Sequence, residues 1–188
     1  MFMKKFLKFS FLLASCFLLT FCSSDGSDTA SPTSEGSGKG GSMAVFTIKG
    51  NYLYTVDNQK LHVFQISNTT DPVKVNDVTI GRDIETIYSL DNLMFMGSRN
   101  GMFIYDVSNP ENPKYLSDAQ HFTACDPVVA NKTHAFVTLH SNTTCGNNLN
   151  TLMVYDIADV TNPKLIHQRN LTYPRGLAIH ENYLIIFP

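Results

Sequence analysis

Three charged residues fall at one register of this sequence. Glu85, Asp126 and Arg175 each stand eight residues ahead of a recurring apolar landmark, namely Leu93-Met94-Phe95, His134-Ala135-Phe136 and Tyr183-Leu184-Ile185. Two carboxylates and a guanidinium at matched positions suit a polar binding site that uses both signs of charge. A pair of carboxylates is also the raw material of general acid–base chemistry. Gly176, directly after Arg175, lets a ligand or a neighbouring backbone come close. A second group, His121, His134 and His140 with Cys125 and Cys145, has the residue types of a zinc site, but the spacing matches no zinc motif. His62, His167 and His180 are scattered singly. Asp106 and Asp156 could be read as calcium ligands, but calcium needs several oxygens converging from one loop, and Gln65 stands where the first of them would be. No Gly-x-Ser-x-Gly, His-Glu-x-x-His or phosphate-binding loop occurs. The expectation is therefore a non-enzyme with no metal and no cofactor, whose candidate ligand-binding rim is Glu85, Asp126, Arg175 and Gly176.

The elements that must position these residues repeat. Phe64-Gln65-Ile66-Ser67-Asn68 runs on to Asp71-Pro72, Tyr105-Asp106-Val107-Ser108-Asn109 to Asn112-Pro113, and Tyr155-Asp156-Ile157-Ala158-Asp159 to Asn162-Pro163. The phrases are 41 and then 50 residues apart. Nine extra residues in the third unit, rich in Asn, Thr and Gly around 141–150, explain the difference and read as a long hairpin loop. Within the second unit the pattern predicts strands at 85–89, 93–97, 102–107 and 113–117, with Asn100-Gly101 as a hairpin turn. In each phrase the aromatic and the Val or Ile fill the space between units. The polar residues accept backbone hydrogen bonds in the turn, and the proline opens an edge strand, where a missing N–H does no harm. Four short strands per unit, rich in Val, Ile, Tyr and Phe, at a period of about 40–45 residues, predict an all-β partial β-propeller. Its blades are expected near 44–82, 83–123 and 124–173, with the start of a fourth at 174–188.

The phrase and the aromatic strand ahead of it resemble the LVIVD-repeat family of bacterial surface propellers, over residues 45–188. That resemblance implies a closed ring of about seven or eight blades, often lipid-anchored and mostly without an assigned activity. This chain holds about three blades of material at that period and stops at Ile186-Phe187-Pro188 on an apolar strand. The expectation is an N-terminal fragment of a longer protein, with an open arc or a ring completed by oligomerisation as the alternatives.

The first residues carry Lys4, Lys5 and Lys8, and 9–21 are apolar but too short to span a bilayer, which is the pattern of an export signal. Leu19-Thr20-Phe21-Cys22 and Leu13-Ala14-Ser15-Cys16 both resemble a bacterial lipoprotein cleavage site. Cys22 lies where the apolar run ends and is the expected lipidation site over 1–22, with Cys16 the alternative. Residues 23–43 are Ser- and Gly-rich and read as a disordered tether. The remaining two of the four cysteines, Cys125 and Cys145, are expected to form a disulfide in an exported domain. Closing that loop would contribute about 3 kcal/mol and pin the long loop over one face, as a binding element or only as a staple. A formal net charge of −2 offers no basic field for nucleic acid. The expected function is a membrane-anchored interaction module of the bacterial cell envelope, on the outer membrane, binding a protein or glycan ligand without catalysis. The alternative is a propeller hydrolase or lyase built on further blades, kept open by Glu85 and Asp126.

Overall fold

A computed structural model describes residues 44–121, 127–141 and 148–188 of the chain, all within the compact unit Glu35–Pro188. Fourteen strands account for the regular structure of the described residues. The first sheet is β1 (Phe46–Lys49), β2 (Tyr52–Val56), β3 (Lys60–Gln65) and β4 (Val73–Thr79). The second is β5 (Ile84–Leu90), β6 (Leu93–Ser98), β7 (Gly101–Asp106) and β8 (Lys114–Gln120). The third is β9 (Val128–Ala130), β10 (His134–Leu139), β11 (Thr151–Asp156) and β12 (Lys164–Asn170), and β13 (Gly176–His180) with β14 (Tyr183–Phe187) forms a two-stranded sheet. Each sheet is an antiparallel meander in chain order. The first strands β1, β5, β9 and β13 pack each against the next. This is a partial β-propeller of three four-stranded blades and two strands of a fourth.

Alternation within the strands sets the packing, because successive side chains point to opposite sheet faces. Tyr54, Leu61 and Val63 of the first sheet meet Ile87, Met94 and Met96 of the second in one core cluster. The opposite face of the second sheet supplies Phe95, Met102 and Ile104 to a larger cluster with Val137, Leu139 and Met153 of the third. Tyr105 and Val107 of the second phrase fall in the first cluster, and Tyr155 and Ile157 of the third phrase in the other. The second and third phrases thus fill the space between sheets, whereas Phe64 and Ile66 of the first are only partly buried and lie outside these clusters. Each fully buried side chain of this size contributes about 1.5–3 kcal/mol.

Two details depart from the sequence reading. The hairpin between β6 and β7 turns at Arg99 and Asn100, and Gly101 is the first residue of β7 rather than a turn residue. Its glycine is needed for a close approach, because a Cβ there would lie 2.6 Å from the Ala119 carbonyl oxygen. In addition β8 runs on to Gln120, past the expected end at 117.

A bulge recurs at one place in every complete sheet. The register shifts between Val63 and Phe64, between Ile104 and Tyr105, and between Val154 and Tyr155. The extra residues on the outer strands are Val75, Leu116 and Ile166. A bulge bends its strand and re-aims the side chains beside it, and the next residues, Asn76 and Ser117, both reach the neighbouring sheet. Asn76 Nδ2 donates to the Glu111 carbonyl at 2.6 Å, and Ser117 Oγ donates to the Val160 carbonyl at 2.5 Å. Tyr54 donates to the Pro110 carbonyl at 3.0 Å, and Tyr52 to a Glu111 carboxylate oxygen at 2.9 Å. The polar turns that close the second and third phrases are therefore held by the sheet before them.

Candidate functional site

The antiparallel meander sorts the connections to two ends of the sheets. One end gathers the turns after β2 and β6 with the links from β4 to β5 and β12 to β13. Of the candidate rim residues, Glu85, Arg175 and Gly176 belong to this end. The link into β5 passes through Asp83, whose φ of 56° is left-handed. Its N–H donates to Asn58 Oδ1 at 3.0 Å, and the Ile84 N–H donates to the Asn58 carbonyl at 3.0 Å. Asn58, in the turn of the preceding sheet, fixes how the chain enters the next one.

Glu85 follows, in a bulge between the pairs Ile84–Ser98 and Thr86–Gly97. Its carboxylate accepts from Arg99 Nε at 3.2 Å, and both side chains are about one-third exposed or less. Arg175 lies immediately ahead of β13, and its N–H donates to the Phe187 carbonyl at 2.7 Å. Gly176 pairs with Phe187 as Thr86 pairs with Gly97, so Arg175 and Glu85 occupy one register. Tyr173, two residues before Arg175, has a φ of 45°, matching Asp83 two residues before Glu85. The strands that follow Glu85 and Arg175 both pack on β9, which lies between them. Arg175 is exposed, and no ion pair among the described residues engages its guanidinium. Asp126, Cys125 and Cys145, and the lipidation candidates Cys16 and Cys22, lie outside the described residues.

His134 and His140 do not converge. His134 opens β10 and His140 follows its last residue, so they share a face but stand about 20 Å apart along the strand. His134 Nδ1 meets Thr133 Oγ1 at 2.8 Å. His140 instead lies edge-on to Tyr173, with ring centroids 6.4 Å apart. Asp106 Oδ1 accepts from the Ser108 N–H at 2.7 Å and the Ser108 hydroxyl at 2.6 Å, which holds its carboxyl below the usual carboxylate range. It acts as a turn acceptor there.

Three features lay beyond sequence reasoning. His62 bridges two carboxylates, Nε2 to Asp57 at 3.0 Å and Nδ1 to Asp77 at 2.6 Å, while Lys74 reaches the same Asp77 oxygen at 2.7 Å. The Asp57 carboxyl is lowered to about 2, chiefly by the backbone N–H groups of Gln59 and Lys60. Thr138 Oγ1 and His140 Nδ1 are buried with no hydrogen-bond partner. Only the alternation of β10, which puts 138 and 140 on one face, could have hinted at the last.

Comparison with known proteins supplies the remaining observations. No curated protein matches the sequence. A solved N-terminal domain of Nup159 is similar in fold, at 11% identity over 67% of this chain and 30% of that one, with a TM-score of 0.43. A chain of an S. cerevisiae assembly, a Dbp5 variant bound to Nup159, a Gle1 variant, IP6 and ADP, is similar at 12% identity over 71% of this chain and 35% of that one, with a TM-score of 0.44. This chain thus spans about a third of the solved chains it matches. The LVIVD repeat family matches at residues 40–79 and 87–117, the spans of β1 to β4 and of most of β5 to β8. The first two blades of this chain are thus similar to LVIVD repeats.

Proposed function

We propose that this protein is an exported, membrane-anchored β-propeller that binds a protein or glycan at the bacterial cell envelope without catalysis. The observation that carries the reading is Arg175. It is an exposed cation with no ion-pair partner among the described residues, at the end of the sheets where the links into β5 and β13 lie. Ordered surface loops on a rigid scaffold carry most recognition. Glu85, one of the two carboxylates that acid–base chemistry would use, is already committed to Arg99, which favours binding over hydrolysis. The apolar run at 9–21, Cys22 and the Ser/Gly tether support the anchor.

Anchoring is tested by expressing the full chain in a bacterial host with a clickable palmitate analogue. Wild type and Cys16→Ala should be labelled and sediment with membranes, and Cys22→Ala should lose the label. Labelling lost only in Cys16→Ala would move the lipid to that residue, and labelling of neither cysteine would overturn the anchor. Binding is tested by titrating the purified chain against envelope polysaccharide and purified envelope proteins. Saturable binding lost in Arg175→Glu is expected, and saturation unaffected by that change would remove Arg175 from the interface.

A further inference from the structure

One place in the fold gathers several unfavourable local features. Thr138 is fully buried, and its hydroxyl has no partner. His140, two residues along and on the same face, has its Nδ1 buried without a partner as well. That face looks toward β13, where Leu152 and Leu177 close the apolar part of the contact. Tyr173 lies edge-on to the His140 ring and is 48% exposed. Its backbone is left-handed, a conformation in which a bulky side chain is an outlier. The link itself requires that conformation, since the matching residue of the preceding link is Asp83 with a similar φ. Aspartate tolerates it, however, and the choice of tyrosine is not explained by the link.

Buried polar groups are paired in folded proteins with few exceptions, and strain with orphaned donors concentrates where a ligand relieves it. We propose that Tyr173 covers a recess between β10 and β13 that takes a sugar acid. Thr138 Oγ1 and His140 Nδ1 would hydrogen-bond its ring hydroxyls, the Tyr173 ring would turn out to lie against its C–H face, and the exposed Arg175, two residues on, would pair with its carboxylate. The same polarity fits no apolar ligand, and a neutral sugar would leave Arg175 unused. This inference rests on the reading of the protein as a binding module and names the ligand class for one site on it.

The test is calorimetric titration of the purified chain with oligogalacturonate and with a neutral glucose oligomer of equal length, beside thermal unfolding. Wild type should bind the acidic oligomer and bind the neutral one at least tenfold more weakly. Thr138→Val replaces the orphaned hydroxyl by a methyl of similar size. It should raise the melting temperature by about 2–4 °C while weakening the acidic oligomer about tenfold or more. Tyr173→Gly should keep the fold and weaken binding through loss of the ring contact, while Arg175→Met should abolish the preference for the acid. A Thr138→Val protein that is less stable than wild type would mean that the hydroxyl is satisfied by a structural water, and the recess would then be no ligand site. Acidic-oligomer binding indifferent to all three changes would place the site elsewhere and leave the binding-module reading intact. No binding of the acidic oligomer would overturn the recess, and titration against envelope proteins would then decide the broader reading separately.

Discussion

Asp57 shows how one exposed carboxylate can be tuned chiefly by backbone. Its oxygen accepts from the Gln59 and Lys60 N–H groups at 2.7 Å each, and His62 approaches the other oxygen. The folded carboxyl titrates at about 2 against an ordinary 3.8. A depressed folded value gives stability that is fully present above pH 3.8 and is lost as pH falls through about 2. Carboxyl NMR titration should find that midpoint. His62→Gln should leave most of the shift in place, because the backbone donors come first; a return to the ordinary value would give the histidine the leading part. Tyr54 tests the clamp between sheets. Tyr54→Phe should cost about 0.5–1.5 kcal/mol in urea unfolding, and with Asn76→Ala the loss should be non-additive, because both side chains hold one turn. Such contacts were not legible in the sequence. The phrase was, because its turn chemistry is local: Asn68, Asn109 and Asp159 each accept from an N–H two residues on. The clamp joins residues 35 to 59 positions apart, and no local pattern marks them.

Strands and turns were largely legible, since apolar alternation and the polar phrases mark where each begins and ends. The misread hairpin is instructive. Asn100-Gly101 has the composition of a turn, but Gly101 is demanded by the β8 backbone beside it. Gly101→Ala should therefore destabilise by about 1–3 kcal/mol, because the obstruction is main chain that cannot rotate away. Gly50 is the contrast. It has open space around the added Cβ and a φ of 57°, so Gly50→Ala should cost about 1–2 kcal/mol from backbone conformation alone. Calorimetry with crystal structures of both variants separates the causes, because only Gly101→Ala should displace β8. A Gly101→Ala protein as stable as wild type would show that β8 yields freely. The recurring bulge was also beyond the sequence, as an extra residue in an outer strand leaves no compositional mark.

At the scale of the described fold, protection should be graded. The second sheet is covered on both faces, by the first sheet and by the third. In contrast, every residue of β12 is exposed, and Tyr183, Ile185 and Phe187 of β14 present apolar side chains to solvent. Amide hydrogen exchange should be slowest in β6 and β7 and fastest in β12 and β14. Uniform protection across the four sheets would mean that they open as one unit. The fold class was readable because a period of about 40–45 residues with four strands per repeat has few other solutions. The rim was readable only as a register, which placed Glu85 and Arg175 at matched positions but not the commitment of Glu85 to Arg99.

The bulge that aims Asn76 and Ser117 at the following turn has a genetic consequence. The second unit carries both halves of the junction: a turn that its predecessor grips and a side chain that grips its successor. Residues 83–123 hold the Pro110 and Glu111 carbonyls on one side and the Ser117 hydroxyl on the other. A tandem duplication of that stretch would bring its own socket and its own plug, and the joint it creates would already be fitted. Genes of this kind can lengthen in whole units of about 40 residues without first evolving a new interface, whereas a step that omitted the turn or the gripping side chain would leave a turn ungripped.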